Sequence, residues 1–297
     1  MARGKAKKTL ELIEAARAFL EANAPATVRS CCYQLLIRGL LRNMSKTETN
    51  KVSRNLVWAR EEGLIPWGWV VDETRSAERS ASWDNPEELI ETAVRQYRKD
   101  YWQDQPVHLE IWSEKGTVRG TLGPVLREYG VTFRVMHGFG SATVIQNFAE
   151  WSRYHHKPII VGYVGDWDPS GLYMSEVDIP TRLKRYGGNV TFQRIALTRD
   201  DISTGDLPSF EVASKTSDTR YRWWAGQNLG DRCWELDAMA PAMLRDRVED
   251  FIVRHLDLEL WERAREVEAA EIESMRSITT RMQDLISGPA TEYGGAP

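Results

Sequence analysis

The chain has 297 residues, 42% of them hydrophobic, with 39 Lys and Arg residues against 43 Asp and Glu residues. This is typical of a globular protein of one to three domains. No run of the sequence approaches the roughly 18 apolar residues of a membrane span. The three cysteines (Cys31, Cys32 and Cys233) have no CxxC spacing, which argues against a disulfide framework or a zinc site and favours a reducing, cytoplasmic setting.

The charge of the chain is unevenly distributed. Residues 1–60 hold 12 of the 39 basic residues and 4 of the 43 acidic ones, so that they carry a formal charge of +8 and the remainder carries −12. A basic head on an acidic body suggests contact with a polyanion at one end. A solvated helix surface is the alternative interpretation.

The N-terminal region is predicted to contain three short helices. The first covers residues 10–22, and the second covers 28–41 with Thr27 as its N-cap. The third begins at Ser45 or Thr47 and runs through Glu62, with Gly63 as its stop signal. A short ribbon is expected at 66–71. Three helices followed by a ribbon is the order of a winged helix-turn-helix, so residues 1–80 are predicted to form a winged-helix DNA-binding domain.

The third predicted helix carries basic side chains suited to phosphate and groove contacts. These candidate DNA-binding residues are Lys46, Lys51, Arg54 and Arg60. The alternative is a small helical module with charged outer faces. The charge asymmetry of the chain favours DNA binding.

The remaining chain divides into three further segments. Residues 81–105 are predicted to be a linker helix, with its helical part at 87–101. Residues 106–200 alternate strands with helices, which predicts a parallel sheet. Its strands are expected at 107–112, 131–136, 158–165 and 190–196. Its helices are expected at 118–129, at 142–154 and from Pro169 to about Arg185. Residues 201–297 are predicted to be an extension with long helices over 242–286 and a disordered tail from 288.

Three carboxylates follow strands of the predicted sheet. Glu114 follows the first strand, and Asp166 and Asp168 follow the third. The carboxyl ends of parallel strands share one edge, where ligands bind in open α/β folds, so these side chains are expected to converge. Three such acids repel one another without a cation, and oxygen ligands suit Mg²⁺. The pattern therefore predicts a magnesium site beside a nucleic-acid phosphate, with Lys115 as a further cation near it.

Each acid also has a structural interpretation. Asp168 followed by Pro169 is a common helix opening, with Asp as the N-cap. Glu114 could be an ordinary loop acid, and Glu110 is a competing acid within the first strand. The ordered set of strand, Glu, Gly-Phe-Gly turn at 138–140, strand and Asp-x-Asp is more specific than any single acid, and it favours metal binding.

At these residues the chain resembles the Toprim domain, whose signature is a Glu after the first strand and an Asp-x-Asp after a later one. The longer pattern Asp166-Trp167-Asp168-Pro169-Ser170-Gly171 is similar to the A subunit of topoisomerase VI and its meiotic double-strand-break relatives. Glu114-Lys115, the Gly-Phe-Gly turn and residues 195–198 are similar to that branch as well. The chain most resembles short stand-alone A-like proteins of microbes and mobile elements.

The resemblance implies a catalytic tyrosine upstream, in a motif like Arg-x-x-Tyr-Tyr. The second predicted helix contains Arg29-Ser30-Cys31-Cys32-Tyr33. Tyr33 matches the second tyrosine of the motif, which is the nucleophile in that family, and Cys32 replaces the first. Arg29 lies four residues before Tyr33, so both share a helix face, and its guanidinium could hold the phosphate that Tyr33 attacks. The alternative is a buried tyrosine beside a surface arginine.

The resemblance implies a multidomain α/β fold, with a winged helix before a Toprim Rossmann-like sheet and a helical C-terminal region. It implies Mg²⁺-dependent cleavage of double-stranded DNA, in which Tyr33 forms a 5′-phosphotyrosyl link and Glu114, Asp166 and Asp168 hold the metal. Family members are homodimers in which the tyrosine of one chain lies near the metal of the other. Strand passage would need a separate GHKL-type ATPase, the B subunit, because the sequence has no Walker-type phosphate loop. Such a protein would be cytoplasmic and nucleoid-associated.

Two other functions fit the same residues. The first is a Toprim nuclease that hydrolyses DNA with metal and water and forms no covalent intermediate. The second is a non-catalytic DNA-binding protein in which the acidic edge is vestigial.

Overall fold

A computed structural model of the chain describes residues 7–71, 82–136 and 142–287. The protein has the α/β fold class that the sequence predicts, built on a four-stranded parallel sheet. The helices and strands, in chain order, are α1 (Lys7–Asn23), β1 (Ala26–Thr27), α2 (Val28–Ile37), α3 (Lys46–Glu61), β2 (Val70–Val71), α4 (Pro86–Gln96), β3 (His108–Ser113), α5 (Val118–Glu128), β4 (Thr132–Val135), α6 (Ala142–Tyr154), β5 (Ile159–Val164), α7 (Pro169–Tyr173), α8 (Ile179–Arg185), β6 (Val190–Ala196), α9 (Arg199–Ser203), β7 (Phe210–Glu211), α10 (Tyr221–Gly226), β8 (Arg232–Cys233), α11 (Pro241–Val253) and α12 (Leu258–Ser287).

The parallel sheet has the strand order β4-β3-β5-β6, with β3 and β5 at its centre. Ser113, the last residue of β3, pairs with Val164, the last residue of β5. The two central strands therefore end side by side, and the residues that follow them leave the sheet at the same edge. The bounds of α6 and β6 agree with the predicted ones.

The sheet is buried on both faces. On one face, Trp112 and Tyr163 pack in one cluster with Phe148 of α6 and Leu183 of α8. Helices α7 and α8 are joined by a π turn at Met174–Asp178, so that the chain is helical from Pro169 to Arg185. Helices α5 and α11 pack together, and α11 also contacts β6. The apolar strand runs follow from burial on two faces, as expected for a parallel sheet.

The N-terminal helices α1, α2 and α3 share a hydrophobic core of their own. The Thr27 side chain accepts a hydrogen bond from the Ser30 amide, which confirms Thr27 as the N-cap of α2. Helix α2 ends at Ile37, four residues earlier than predicted. The chain turns at Gly39, where φ is 70°, a left-handed conformation that glycine adopts without steric cost.

Only Val70 and Val71 of the predicted ribbon at 66–71 form a strand. Residues 67–69 form a 3₁₀ turn, and Val70 and Val71 pair in parallel with Ala26 and Thr27. Within residues 7–71 there is consequently no antiparallel hairpin after α3. Val70 and Val71 are the parallel partner of β1, the short strand before α2. An apolar Val-Val pair suits either a parallel strand or one arm of a hairpin, so the sequence alone does not distinguish the two.

The chain divides into two compact units, one formed by residues 1–76 and 106–255 and the other by 77–105 and 256–297. In the second unit, α4 packs against α12, and Lys99 contacts two acids of α12, with its backbone amide on Glu268 (2.7 Å) and its Nζ on Glu271 (3.2 Å). The predicted long helical stretch over 242–286 is two helices, α11 and α12, with one in each unit.

Two predicted features, the Gly-Phe-Gly turn at 138–140 and the tail from 288, lie outside the described residues. Among the helices that the structure describes, none combines the length and the apolar character needed to cross a membrane.

The packing of β5 against α11 predicts the effect of enlarging Gly162. A Cβ at this position would lie 2.6 Å from Phe251 Cε1 and 3.0 Å from Ile111 Cδ1, and both side chains are fully buried. Gly162→Ala should therefore lower the free energy of unfolding by about 1–3 kcal/mol, because the core must shift to admit the methyl group. Urea denaturation measures the change.

Gly68→Ala is the matched control, since, its two chain neighbours aside, no atom of the described residues lies within 4 Å of its added carbon. This variant should change the free energy of unfolding by less than about 0.5 kcal/mol. Equal losses in the two variants would contradict the packing described.

Candidate functional site at the carboxyl edge of the sheet

Glu114, Asp166 and Asp168, here called the acidic edge, lie together where β3 and β5 end. Glu114 follows β3 directly, and the two aspartates follow β5 by two and four residues. Burial raises the pKa of Glu114, and the negative charges of Asp166 and Asp168 raise it further. The three carboxylates are thus close enough to repel one another.

Lysine side chains neutralise the two aspartates. Lys115 Nζ lies 2.9 Å from Asp166 Oδ1, and Lys215 Nζ lies 3.0 Å from Asp168 Oδ2. The other oxygen of Asp168 accepts a hydrogen bond from the Gly171 amide (2.7 Å) and caps α7. Asp168 therefore does have the structural role of an N-cap, and it keeps a second oxygen for a cation.

Glu114 differs from the aspartates because it has neither a hydrogen bond nor an ion pair with any residue in the described ranges. It is half-buried, and a half-buried carboxylate beside two others favours a cation. The competing acid Glu110 is not part of the edge. It is buried and forms a two-point ion pair with Arg134, at 2.9 Å for both hydrogen bonds, and it accepts the Trp112 indole N–H.

Hydrogen bonds from Arg194 of β6 fix the loop that carries the aspartates. Its guanidinium, whose side chain is 5% exposed, donates to the carbonyls of Gly165 (2.9 Å), Asp166 (3.2 Å), Leu197 (3.1 Å) and Gly171 (2.8 Å). Gly171 is required by the same tight loop, because a Cβ there would lie 2.6 Å from the Asp166 carbonyl oxygen.

The donor chemistry of the acidic edge fits Mg²⁺, since hard cations prefer carboxylate oxygens. In residues 7–71, 82–136 and 142–287, however, no three His, Cys, Asp or Glu side chains stand in an arrangement that could hold a metal ion. The lysine ammonium groups lie on the aspartate oxygens instead. The edge described here is an ion-paired arrangement of chemically suitable ligands.

An acidic segment that the sequence does not predict as part of the site, Glu235-Leu236-Asp237, joins the edge to α2. The Leu236 amide donates to Asp166 Oδ1 (2.8 Å). Asp237 accepts from Thr27 Oγ1 through Oδ1 (3.0 Å) and pairs with Lys115 Nζ through Oδ2 (3.2 Å). The Glu-x-Asp spacing of this segment resembles Asp-x-Asp, and this spacing is the sequence signal that could have identified the segment as part of the site. The segment lies some seventy residues from the aspartates.

Residues 235–237 also contact the part of α2 that carries the candidate nucleophile, Tyr33. Arg29 forms an ion pair with Glu235, and its guanidinium carbon lies 5.9 Å from the ring centre of Tyr33. Tyr33 is 5% exposed. Burial raises the pKa of Tyr33 and the charge of Glu235 adds to this, whereas Arg29 and Lys115 act in the opposite direction. The charge of Lys115 acts on both Tyr33 and Glu114.

Lys115 is the link between the two parts. Burial lowers the pKa of Lys115, but the carboxylates of Asp166 and Asp237 outweigh it and raise the pKa overall. Its ammonium group remains charged and bridges the sheet edge to the segment that carries Asp237.

The candidate DNA-binding residues of α3 are mostly at the surface. Lys46, Lys51 and Arg54 are exposed. Arg60 is half-buried, and its guanidinium carbon lies 4.8 Å from the ring centre of Trp67, which is 60% exposed. The helix thus offers three exposed cations and one that stacks on an aromatic ring.

Comparison of the chain with models of protein families gives no match, and comparison with curated proteins gives none either.

The contacts of Asp237 predict a loss of stability when its carboxylate is removed. Asp237→Ala leaves the buried Thr27 hydroxyl and Lys115 with one acceptor fewer, so the free energy of unfolding should fall by about 1–3 kcal/mol. The exposed Asp206 provides the control, and Asp206→Ala should change it by less than about 0.5 kcal/mol. Urea denaturation of both variants checks this, and an unchanged Asp237→Ala variant would contradict it.

Proposed function

We propose that this protein is a Mg²⁺-dependent DNA-cleaving enzyme that resembles the A subunit of type IIB topoisomerases. The observation that carries the proposal is the meeting of Glu114, Asp166 and Asp168 at one sheet edge, with Arg29 and Tyr33 joined to that edge through residues 235–237. This combines a site for a divalent cation with a candidate nucleophile.

The finer fold assignment belongs to the same proposal. Residues 106–200 are proposed to be a Toprim domain, supported by the parallel sheet and by acids placed after β3 and β5. Residues 1–80 are proposed to be a DNA-binding domain of the winged-helix kind. Three helices and an exposed basic α3 support this, and the parallel pairing of β1 with β2 departs from the usual wing.

Glu114, Asp166 and Asp168 would hold Mg²⁺, which supplies positive charge against the negative phosphate when bound. Lys115 and Lys215 then have two roles. Without the cation they neutralise the aspartates, and with it they are free to contact the phosphate oxygens of DNA.

In the proposed reaction the oxygen of Tyr33 attacks a backbone phosphorus. The phenolic O–H bond breaks and its proton passes to water, while a new oxygen–phosphorus bond forms. The bond from phosphorus to the 3′ oxygen breaks, and that oxygen takes up a proton to become a free 3′ hydroxyl group. The products are a 5′-phosphotyrosyl link and a nick, with no net redox change. Arg29 orients the phosphate once it leaves Glu235.

The burial of Tyr33 favours one alternative. A phenol that is 5% exposed, with a raised pKa, is a weak nucleophile until α2 moves or Glu235 releases Arg29. A Toprim nuclease, in which water attacks the phosphate beside the acidic edge, needs no such change.

The proposed function is tested with supercoiled plasmid and Mg²⁺, stopped with detergent and treated with protease before electrophoresis. Wild-type protein should yield cut DNA with protein bound to the 5′ ends. Tyr33→Phe should lower cutting by more than about 100-fold, because the attacking oxygen is gone. Asp166→Asn should do the same through the loss of a metal ligand.

The matched control is Tyr154→Phe, because Tyr154 is 74% exposed and lies in α6. It should cut like wild type. Cutting that survives in Tyr33→Phe but not in Asp166→Asn would establish hydrolysis without a covalent intermediate. Binding of DNA without cutting in any divalent metal would leave only the DNA-binding function.

The role of α3 is tested by the salt dependence of DNA binding in the absence of divalent ions. Each phosphate contact releases counterions, so Lys51→Gln should reduce the slope of log affinity against log salt by about 1. Lys184→Gln, an exposed lysine of α8, should leave the slope unchanged. Fluorescence anisotropy with a labelled duplex measures both, and equal slopes in the three proteins would remove α3 from the interface.

A further inference from the structure

A cleft of about 450 Å³ opens beside the acidic edge, and it lies in the size range of ligand-binding pockets. One of the residues that line the cleft is Trp167, which lies between Asp166 and Asp168 in the sequence. Trp223 and Gln227, at the end of α10, also line it. The polar part of the lining includes Glu176, Arg194, Thr198 and Arg199.

Trp167 has an unusual environment within this cleft. Its side chain is 5% exposed, and its indole Nε1 is buried without a hydrogen-bond partner among the described residues. The guanidinium carbon of Arg199 lies 6.0 Å from its ring centre. The wall of the cleft at Trp167 is therefore aromatic, with a guanidinium beside it.

Trp223 is half-buried and is held in place by an edge contact with Tyr173, with ring centres 5.1 Å apart. Near it, Gln227 and Glu176 are exposed, and their side chains carry one amide and one carboxylate. The cleft therefore offers aromatic surface, a guanidinium, hydrogen-bond donors and an acceptor within a single space.

We propose that this cleft binds an unpaired nucleobase of the DNA strand whose phosphate lies at the acidic edge. Aromatic rings stack on the face of any base, and arginine adds a cation–π contribution. The edge of a base carries both donors and acceptors, which match Glu176 and the pair formed by Arg199 and Gln227. The proposal rests on the proposed function, since it takes the acidic edge to be the place where the phosphate binds.

The position of Trp167 explains why a strand, rather than a free nucleotide, is the expected ligand. Its two sequence neighbours belong to the acidic edge, so a base in the cleft and a phosphate at the edge are served by three consecutive residues. The Arg194 hydrogen bonds that fix the loop also fix the backbone on either side of Trp167.

The test compares two fluorescein-labelled single strands of about 12 nucleotides. One carries thymine bases and the other has the same phosphates with abasic sugars throughout. Binding is measured by anisotropy in EDTA, where no metal-dependent cutting takes place. Wild-type protein should bind the thymine strand more tightly than the abasic strand. Trp223→Ala should weaken binding of the thymine strand by about 5- to 100-fold and leave the abasic strand unchanged.

Two controls separate stacking from misfolding. Trp223→Phe should retain most of the affinity, because it keeps an aromatic face. Trp151→Ala removes a tryptophan of α6 that is 40% exposed and lies outside the cleft, and it should bind like wild type. The urea midpoints of all three variants should show that each is folded.

Three results would overturn the proposal. They are equal affinity of wild type for the two strands, equal weakening of both strands by Trp223→Ala, and binding of thymidine monophosphate as tight as that of the thymine strand, which would assign the cleft to a free nucleotide. A base-dependent affinity combined with no plasmid cutting would reject the cleavage reaction while keeping the cleft. Plasmid cutting combined with equal affinity for the thymine and abasic strands would reject the base-binding cleft and keep the cleavage reaction.

Discussion

Repulsion among the three carboxylates of the acidic edge is the constraint on which the rest of this structure depends. A parallel sheet brings the ends of β3 and β5 side by side, so negative charges placed after these strands cannot separate. The fold counters the repulsion with cations from different parts of the chain. Lys115 comes from the same loop as Glu114, and Lys215 comes from beyond β7. Both lysines remain partly accessible, at 26% and 38% exposure.

Residues 235–237 extend the same electrostatic logic to the N-terminal helices. A neutral segment there would leave Arg29 and Lys115 facing each other as like charges. Glu235 pairs with Arg29, the Leu236 amide donates to Asp166, and Asp237 pairs with Lys115. The arrangement links α2 to the sheet edge, because Asp237 contacts both Thr27 and Lys115.

Much of this architecture can be predicted from the sequence because its cause is local. The bounds of α6 and β6, the cap at Thr27 and the end of α3 before Gly63 all follow from periodicity and from the preferences of single residues. The convergence of the acids follows from one topological rule. By contrast, the parallel pairing of β2 with β1, and the packing of α4 on α12, join segments far apart in sequence whose local patterns fit several partners. The ion pairs of Lys215 and Asp237 could not be predicted for the same reason. With 28% of the residues charged, the sequence does not show which charges pair.

The short parallel pair formed by β1 and β2 has a mechanical consequence. Because Ala26 and Thr27 are hydrogen-bonded to Val70 and Val71, everything between them, including α2 and α3, is closed into a loop anchored at one place. Helix α2 packs against both α1 and α3, so a displacement that uncovers Tyr33 would disturb the core that the three helices share. It would also strain the hydrogen bond from Thr27 Oγ1 to Asp237 Oδ1, which joins the start of α2 to residues 235–237.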